Sequence, residues 1–194
     1  MTIAGPGFFE VRRMANLLRA GGVIAYPTEG VYGLGCDPLN QAAVERILRL
    51  KGRSAGKGLI LIGADETQLW PFIQIVDDAR MSPVRNSWPG PVTWVFPARD
   101  DINPLISGGR RTVAVRVTSH PGAAALCAAF GGALISTSAN VSGAKPARTR
   151  LRVQRELGAH IDGIARGRVG ERRQPSTIRN VADAQFLRGN AADE

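Results

Sequence analysis

Apolar positions along this chain repeat with two different periods, and the switches between them mark its helices and strands. From Phe8 to Ala20 the apolar residues Val11, Met14, Ala15 and Leu18 recur at steps of three and four, which predicts a helix with one buried face. Gly21-Gly22 stops it. Val23–Tyr26 is a short apolar run, predicted as a strand that Pro27 ends. The stretch from Pro27 to Pro38 is rich in Gly and in hydroxyl or acidic residues, and reads as a loop. Asn40 then stands where an N-cap belongs, ahead of the stripe Ala43, Val44, Ile47, Leu48 in a helix through Leu50. Leu59–Ile62 is wholly apolar, as in a strand covered on both faces.

The second half continues the mixture. Asp77–Ser87 is predicted to be helical in part, interrupted by Pro83. Trp88-Pro89-Gly90-Pro91 is a rigid turn. Strands are predicted at Val92–Phe96, Thr112–Val117 and Ala133–Ser136, with a helix at Pro121–Phe130 between the last two. A helix at Arg150–Leu157, a strand at Ile161–Ala165 and a hairpin of Thr177–Val181 with Gln185–Arg188 close the chain. Helices and strands intermix, yet several strands lie close in sequence. The expected class is therefore α+β (mixed α/β), with one twisted mixed sheet in three layers rather than a βαβ repeat. Residues 1–189 are read as a single domain and 190–194 as a frayed tail.

Composition narrows the function. At 44% hydrophobic and 21% charged, the 194-residue chain can bury a core and is not of the disordered class. No apolar run approaches the roughly 20 residues that span a membrane. Met1–Phe9 lacks a basic region followed by an apolar one, so no secretory signal and a cytoplasmic location are expected. Cys36 and Cys127 are the only cysteines and His120 and His160 the only histidines, which argues against a disulfide scaffold and a structural metal site. A metal would arrive as Mg2+ with a phosphate substrate. The net charge of +9 fits either an anionic partner or a solvated, arginine-rich surface.

Four segments could carry chemistry. Lys51-Gly52-Arg53-Ser54-Ala55-Gly56-Lys57-Gly58 combines three cations with three glycines, which suits backbone and side-chain contacts to phosphate. It is not a Walker A loop: three residues separate Gly52 from Gly56, and Gly58 stands where Ser or Thr would meet magnesium. Taken alone, it reads better as a helix C-terminus with dipole-matching cations and a glycine cap. Ser136-Thr137-Ser138-Ala139-Asn140 lies at the C-terminal end of a predicted strand, where open sheets bind ligands, but also suits a plain turn. Pro27-Thr28-Glu29 with Tyr32-Gly33-Leu34-Gly35 is another polar loop, and its glycine order is not that of dinucleotide folds. Arg116 ends the apolar run Val113-Ala114-Val115 and needs an anion, either a structural carboxylate or a substrate carboxylate. No nucleophile elbow or Ser–His–Asp pattern stands out, so the chain points to binding and orienting anions.

Together these loops resemble a known family. Residues 21–29 (GGVIAYPTE), 32–35 (YGLG), 51–53 (KGR) and 57–62 (KGLILI) are followed in order by 88–93 (WPGPVT), 114–116 (AVR), 136–143 (STSANVSG) and 175–179 (PSTIR). The ordered set, from about Gly21 to Gly189, is similar to the YrdC/TsaC family in its short, single-domain bacterial branch. The resemblance implies a YrdC-like fold with a large concave basic cleft. It also implies an activity, the synthesis of threonylcarbamoyl-AMP from L-threonine, bicarbonate or CO2, and ATP, with release of pyrophosphate. That product serves N6-threonylcarbamoylation of adenosine 37 in tRNA, through downstream tRNA threonylcarbamoyl-transferase proteins. By resemblance, Lys51 and Arg53 hold the ATP phosphates, Ser138, Asn140 and Arg188 contact the nucleotide, and Thr28, Arg116, Ser136 and Ser176 surround the threonine. Gly30 departs from the Thr, Ser or Ala common in relatives, and Gly58 from a proline common in longer members. The second domain of the longer members, with any lid it provides, is not expected.

The surplus charge has its own reading. Lys145 to Arg188 contains eleven Lys or Arg against four Asp or Glu. This segment is expected to give weak, sequence-independent attraction to tRNA or other RNA. A non-enzymatic RNA-binding domain is the rival function; the 6% aromatic content and the lack of a stacking motif weigh against it.

Overall fold

The computed structural model describes residues 7–172 and 176–189, so the tail read at 190–194 lies outside the described residues. Helix α1 (Phe8–Arg19) buries the stripe Val11, Met14, Ala15 and Leu18. β1 (Ile24–Pro27) and β2 (Tyr32–Gly35) follow, then α2 (Gln41–Lys51) and β3 (Ile60–Gly63). Asn40 caps α2 as expected: its side chain accepts from Ala43 N. Next come α3 (Asp78–Ser87), β4 (Thr93–Pro97), the short α4 (Pro104–Ser107), β5 (Thr112–Val117), α5 (Pro121–Phe130) and β6 (Leu134–Ser138). α6 (Arg150–Leu157), β7 (Gly163–Ile164), β8 (Ile178–Asn180) and β9 (Phe186–Arg188) complete the described chain.

The strands form one mixed sheet in the order β7-β1-β2-β6-β3-β5-β4-β8-β9. β6 runs antiparallel between β2 and β3, while β3 pairs in parallel with β5 and β1 with β7. Side chains alternate across the strands and separate two cores. Ile24, Tyr26, Ile62 and Leu134 pack against Met14 and Leu18 of α1 and Leu126 of α5. Their neighbours Ala25, Leu61 and Ile135, with Trp94, Phe96 and Val115, face Val44 and Ile47 of α2, Val84 of α3 and Val153 of α6. This is the three-layer mixed sheet that the pattern predicts.

Two expectations change. The stretch from Pro27 to Pro38 is not all loop, because Tyr32–Gly35 is a fully buried strand paired with β1 and β6. Its alternation is hidden: Tyr32 and Leu34 enter the core, while Gly33 and Gly35 occupy the other face. Pro83 also does not interrupt α3. The helix runs through it, capped by Asp77 and fixed by buried Met81 and Val84, because one lost N–H bond is outweighed by that packing.

The glycine at position 35 is a steric requirement. A Cβ there would lie 2.5 Å from Ile135 O and 2.6 Å from Tyr26 Cε1. Gly35→Ala is expected to lose about 2–4 kcal/mol of stability by forcing β1, β2 and β6 apart. A urea midpoint equal to the parent's would show that the strands have room to spare.

Candidate active site

Register across the sheet builds the floor of a cleft. Gly33 pairs with Ser138, Ile60 with Ser136, and Arg116 with Ile62, so these residues lie on one face. It is the face that α1 and α5 cover further along. Beyond their cover a cavity of about 740 Å³ opens, a size typical of small-molecule sites. Gly33 leaves the floor open, since its Cβ would approach Thr28 Cγ2 to 3.3 Å and Ser136 Oγ to 3.4 Å.

The walls are cationic. Arg53, Arg116, Lys145, Arg148, Arg152, Arg172 and Arg188 line the cavity, against the single carboxylate of Glu29 among the described lining residues. Burial holds Arg188 below the usual arginine range, and the charges of Arg116 and Arg53 lower it further. Burial, then Arg110, does the same to Arg53. Cations held this close favour a polyanion between them.

Arg116 is held by a carboxylate. Its Nη2 lies 3.2 Å from Glu29 Oε2, and both side chains are nearly buried. Glu29 Oε1 accepts from Thr118 Oγ1 at 2.6 Å and from Ser119 N at 3.2 Å. Burial raises the Glu29 carboxyl, but Arg116 and Thr118 outweigh it, so its pKa lies below the ordinary 4.5. Arg116 Nε is buried without a hydrogen-bond partner among the described residues. Of the two anions considered from sequence, the structure supplies the structural carboxylate, Glu29.

Lys51 is buried behind the wall, not on it. At the end of α2 its ammonium donates to Ser138 O and, at 2.8 Å, to Asn140 O, with Ser138 Oγ at 3.4 Å and Asn140 Oδ1 at 3.3 Å. Burial lowers its pKa to about 8, with Arg53 adding to the effect. Asn140 also turns inward: its Nδ2 donates to Val141 O at 2.9 Å and Ala144 O at 2.7 Å. Lys51 and Asn140 therefore shape the loop after β6, while Ser136 and Ser138 present themselves to the cavity.

The remaining predicted residues meet at the wall. Thr28 Oγ1 donates to Val31 O at 2.8 Å, closing its own turn. Arg188 Nη2 donates to Ser176 O at 2.7 Å and Ser176 Oγ at 2.9 Å, joining β9 to the segment before β8. The structure brings Thr28, Arg53, Arg116, Ser136, Ser138, Ser176 and Arg188 to one cavity. Reading the sequence gave no role to Glu29, although it stood in a polar loop already singled out. It counted Lys145, Arg148 and Arg152 only as surplus charge, yet all three line the cavity. Arg148 Nη1 donates to Arg172 O at 3.0 Å, tying that segment down over the floor. Among the described residues no cluster of three or more His, Cys, Asp or Glu could hold a metal, and no helix is long and apolar enough to cross a membrane.

Glu29→Gln would leave the buried Arg116 guanidinium without its counter-charge and is expected to cost about 3 kcal/mol. Because the carboxyl's folded pKa is depressed, the stability difference between parent and variant should be full above pH 4.5. It should vanish as pH falls through the lower folded value. Denaturant midpoints measured across that range check this; a difference that does not change with pH would assign the loss to packing.

Comparison with known proteins agrees with this fold. The Sua5/YciO/YrdC family model, described as "Telomere recombination", matches residues 16–189. A threonylcarbamoyl-AMP synthase of Nitrosococcus oceani is 53% identical over 180 residues, covering 93% of this chain and 97% of the relative. One from Thiobacillus denitrificans is 54% identical, covering 88% and 90%. The P. abyssi Sua5 crystal structure complexed with L-threonine superposes with a TM-score of 0.87 at 32% identity, covering 93% of this chain and 54% of that one. E. coli YciO does so with a TM-score of 0.83 at 26% identity, covering 98% and 95%. The chain belongs to the Sua5/YciO/YrdC family.

Proposed function

We propose that this chain is a threonylcarbamoyl-AMP synthase, a nucleotidyltransferase that makes L-threonylcarbamoyladenylate and pyrophosphate from L-threonine, bicarbonate or CO2, and ATP. One observation carries the reading beyond kinship: a single cavity joins a polycationic wall to the Arg116 guanidinium, set beside the hydroxyl residues Thr28, Ser136 and Ser176. The first suits a triphosphate and the second a carboxylate. The relatives at 53% and 54% identity bear this activity as their name, and a Sua5 relative holds L-threonine, which supports the assignment.

The chemistry balances without a covalent enzyme intermediate. Threonine's ammonium and bicarbonate give the carbamate, water and a proton. A carbamate oxygen then attacks the α-phosphorus, and the bond to the bridging oxygen of pyrophosphate breaks. The nucleophile is already an anion, so the protein's task is to align it and offset charge growing on the leaving group. Arg53 and Arg188 would face the phosphates with Ser138, and Mg2+ would enter with ATP as part of the substrate. Lys51 and Asn140 would act on the nucleotide through the loop they hold, with the Lys51 charge one layer behind the phosphates. Arg116 would fork onto the threonine carboxylate, with Thr28, Ser136 and Ser176 around the rest. The product would pass in the cytoplasm to the proteins that modify adenosine 37 of tRNA. Lys145, Arg148 and Arg152, on the rim, would draw in ATP and would still attract RNA weakly. An RNA-binding role alone leaves the buried Arg116–Glu29 pair and the serine floor without a purpose.

Purified protein should release pyrophosphate from ATP only when L-threonine and bicarbonate are both present. Equal release with serine, or without any amino acid, would sink the assignment. Arg116→Lys should weaken threonine binding by about 10–100-fold, since lysine cannot form the fork. ATP affinity should change far less, and calorimetry reads both. Equal losses for the two ligands would move Arg116 out of the amino-acid site.

A further inference from the structure

Arg53 reaches the cavity wall from a turn, and what fixes that turn lies on its other side. Arg53 Nε and Nη2 both donate to Gly58 O, at 3.2 and 3.0 Å. Gly58 closes the 3₁₀ turn Ala55–Lys57. On the turn's far side, Arg110 Nη1 donates to Gly56 O at 2.7 Å. Two guanidinium groups thus grip one short turn, and Arg110 is not among the residues lining the cavity.

The contact is close enough to transmit a shift. Gly58 has φ +62°, and a Cβ there would lie 2.7 Å from Arg110 Nη2 and 3.0 Å from Ile106 O. Gly108 has φ +68°, and a Cβ there would lie 2.7 Å from Gly56 O. Only glycine fits either position, in backbone angle and in space. Leu59 N also donates to Ile106 O at 2.8 Å, so the turn is fastened to α4 by main chain as well. Arg110 is exposed, so its side chain can be removed without opening a core.

We propose that Arg110 is a positioning residue for Arg53: by holding Gly56 O it sets the turn whose Gly58 carbonyl aims the Arg53 guanidinium at the phosphates. This rests on the reading, given above, that Arg53 meets the phosphates of ATP. Two like charges across one turn would otherwise drive it open. The carbonyls between them keep both cations in place without cancelling either charge.

The test measures Mg-ATP and threonine affinities by calorimetry, with thermal midpoints, for five variants. Arg110→Ala should weaken Mg-ATP about tenfold, equivalent to about 1.4 kcal/mol, and leave threonine within about twofold. Arg110→Gln keeps a donor for Gly56 O without the charge and should recover most of the loss; Arg110→Lys, placing a point charge on a different stem, should recover less. In the pair Arg53→Ala and Arg53→Ala/Arg110→Ala, the second change should add little, because Arg110 acts through Arg53. Recovery by Lys but not Gln, or additive losses in the double variant, would make Arg110 a direct source of field and overturn the proposal. A similar loss of both ligands, with a lowered thermal midpoint, would make it merely structural. If Arg53→Ala weakens Mg-ATP and Arg110→Ala does not, the Arg110 inference fails alone. If Arg53→Ala itself leaves Mg-ATP binding intact, the phosphate role of Arg53 fails and the inference goes with it.

Discussion

The structure depends on gathering many positive charges around one cavity with few carboxylates among them. Seven cationic side chains line it against one carboxylate among the described residues. Acidic partners would hold these cations firmly but would erase the field that a triphosphate needs. Main-chain carbonyls serve instead for three of them, while Arg152 donates to Glu156 Oε1 at 2.7 Å. Gly58 O takes Arg53, Ser176 O takes Arg188, and Arg172 O takes Arg148. Behind the wall, Asn140 O and Ser138 O take Lys51, and Gly56 O takes Arg110. A carbonyl satisfies a donor with a dipole, so the guanidinium is fixed and its net charge survives. Groups fixed in this way can act on a developing negative charge without first reorganising.

Arg116 is paired with a carboxylate, Glu29, rather than with a carbonyl. Arg116 is also the more deeply buried, at 7% exposure, where a guanidinium without a counter-charge is costly. Glu29 supplies that counter-charge. Glu29 is in turn fixed by Thr118 and Ser119 at the end of β5, and its own carbonyl accepts from Arg172 N. Glu29 therefore ties the loop after β1 to the end of β5 through its carboxylate and to Arg172 through its carbonyl.

Much of this was legible in sequence, and the failures have physical causes. The helical stripes of α1, α2, α5 and α6 and the apolar strands β3 and β5 were readable because each buries one face or both. β2 was not, because two of its four residues are glycines that clear space for Tyr26 and the cavity floor. Composition alone makes such a strand look like a loop. The loops carrying Thr28, Arg53, Arg116, Ser136, Ser138, Ser176 and Arg188 were found, and they meet. What sequence could not give is direction. Lys51 and Asn140 point inward, because the end of α2 lies directly behind the loop that follows β6. Lys145, Arg148 and Arg152 point into the cavity, though they sit in a segment where charge suggests a solvated surface.

The direction of Lys51 changes how its charge works. An ammonium in contact with phosphate would act as a point charge on the ligand. One buried behind Ser138 and Asn140 spends its hydrogen bonds on backbone and reaches the ligand only through the field and through the loop it holds. Burial lowers its pKa to about 8, and the charge of Arg53 adds to the effect. An anion placed in the cavity adds a negative charge nearby and favours the ammonium further. By linkage, the same ammonium then favours the anion, and more strongly below pH 8 than above it.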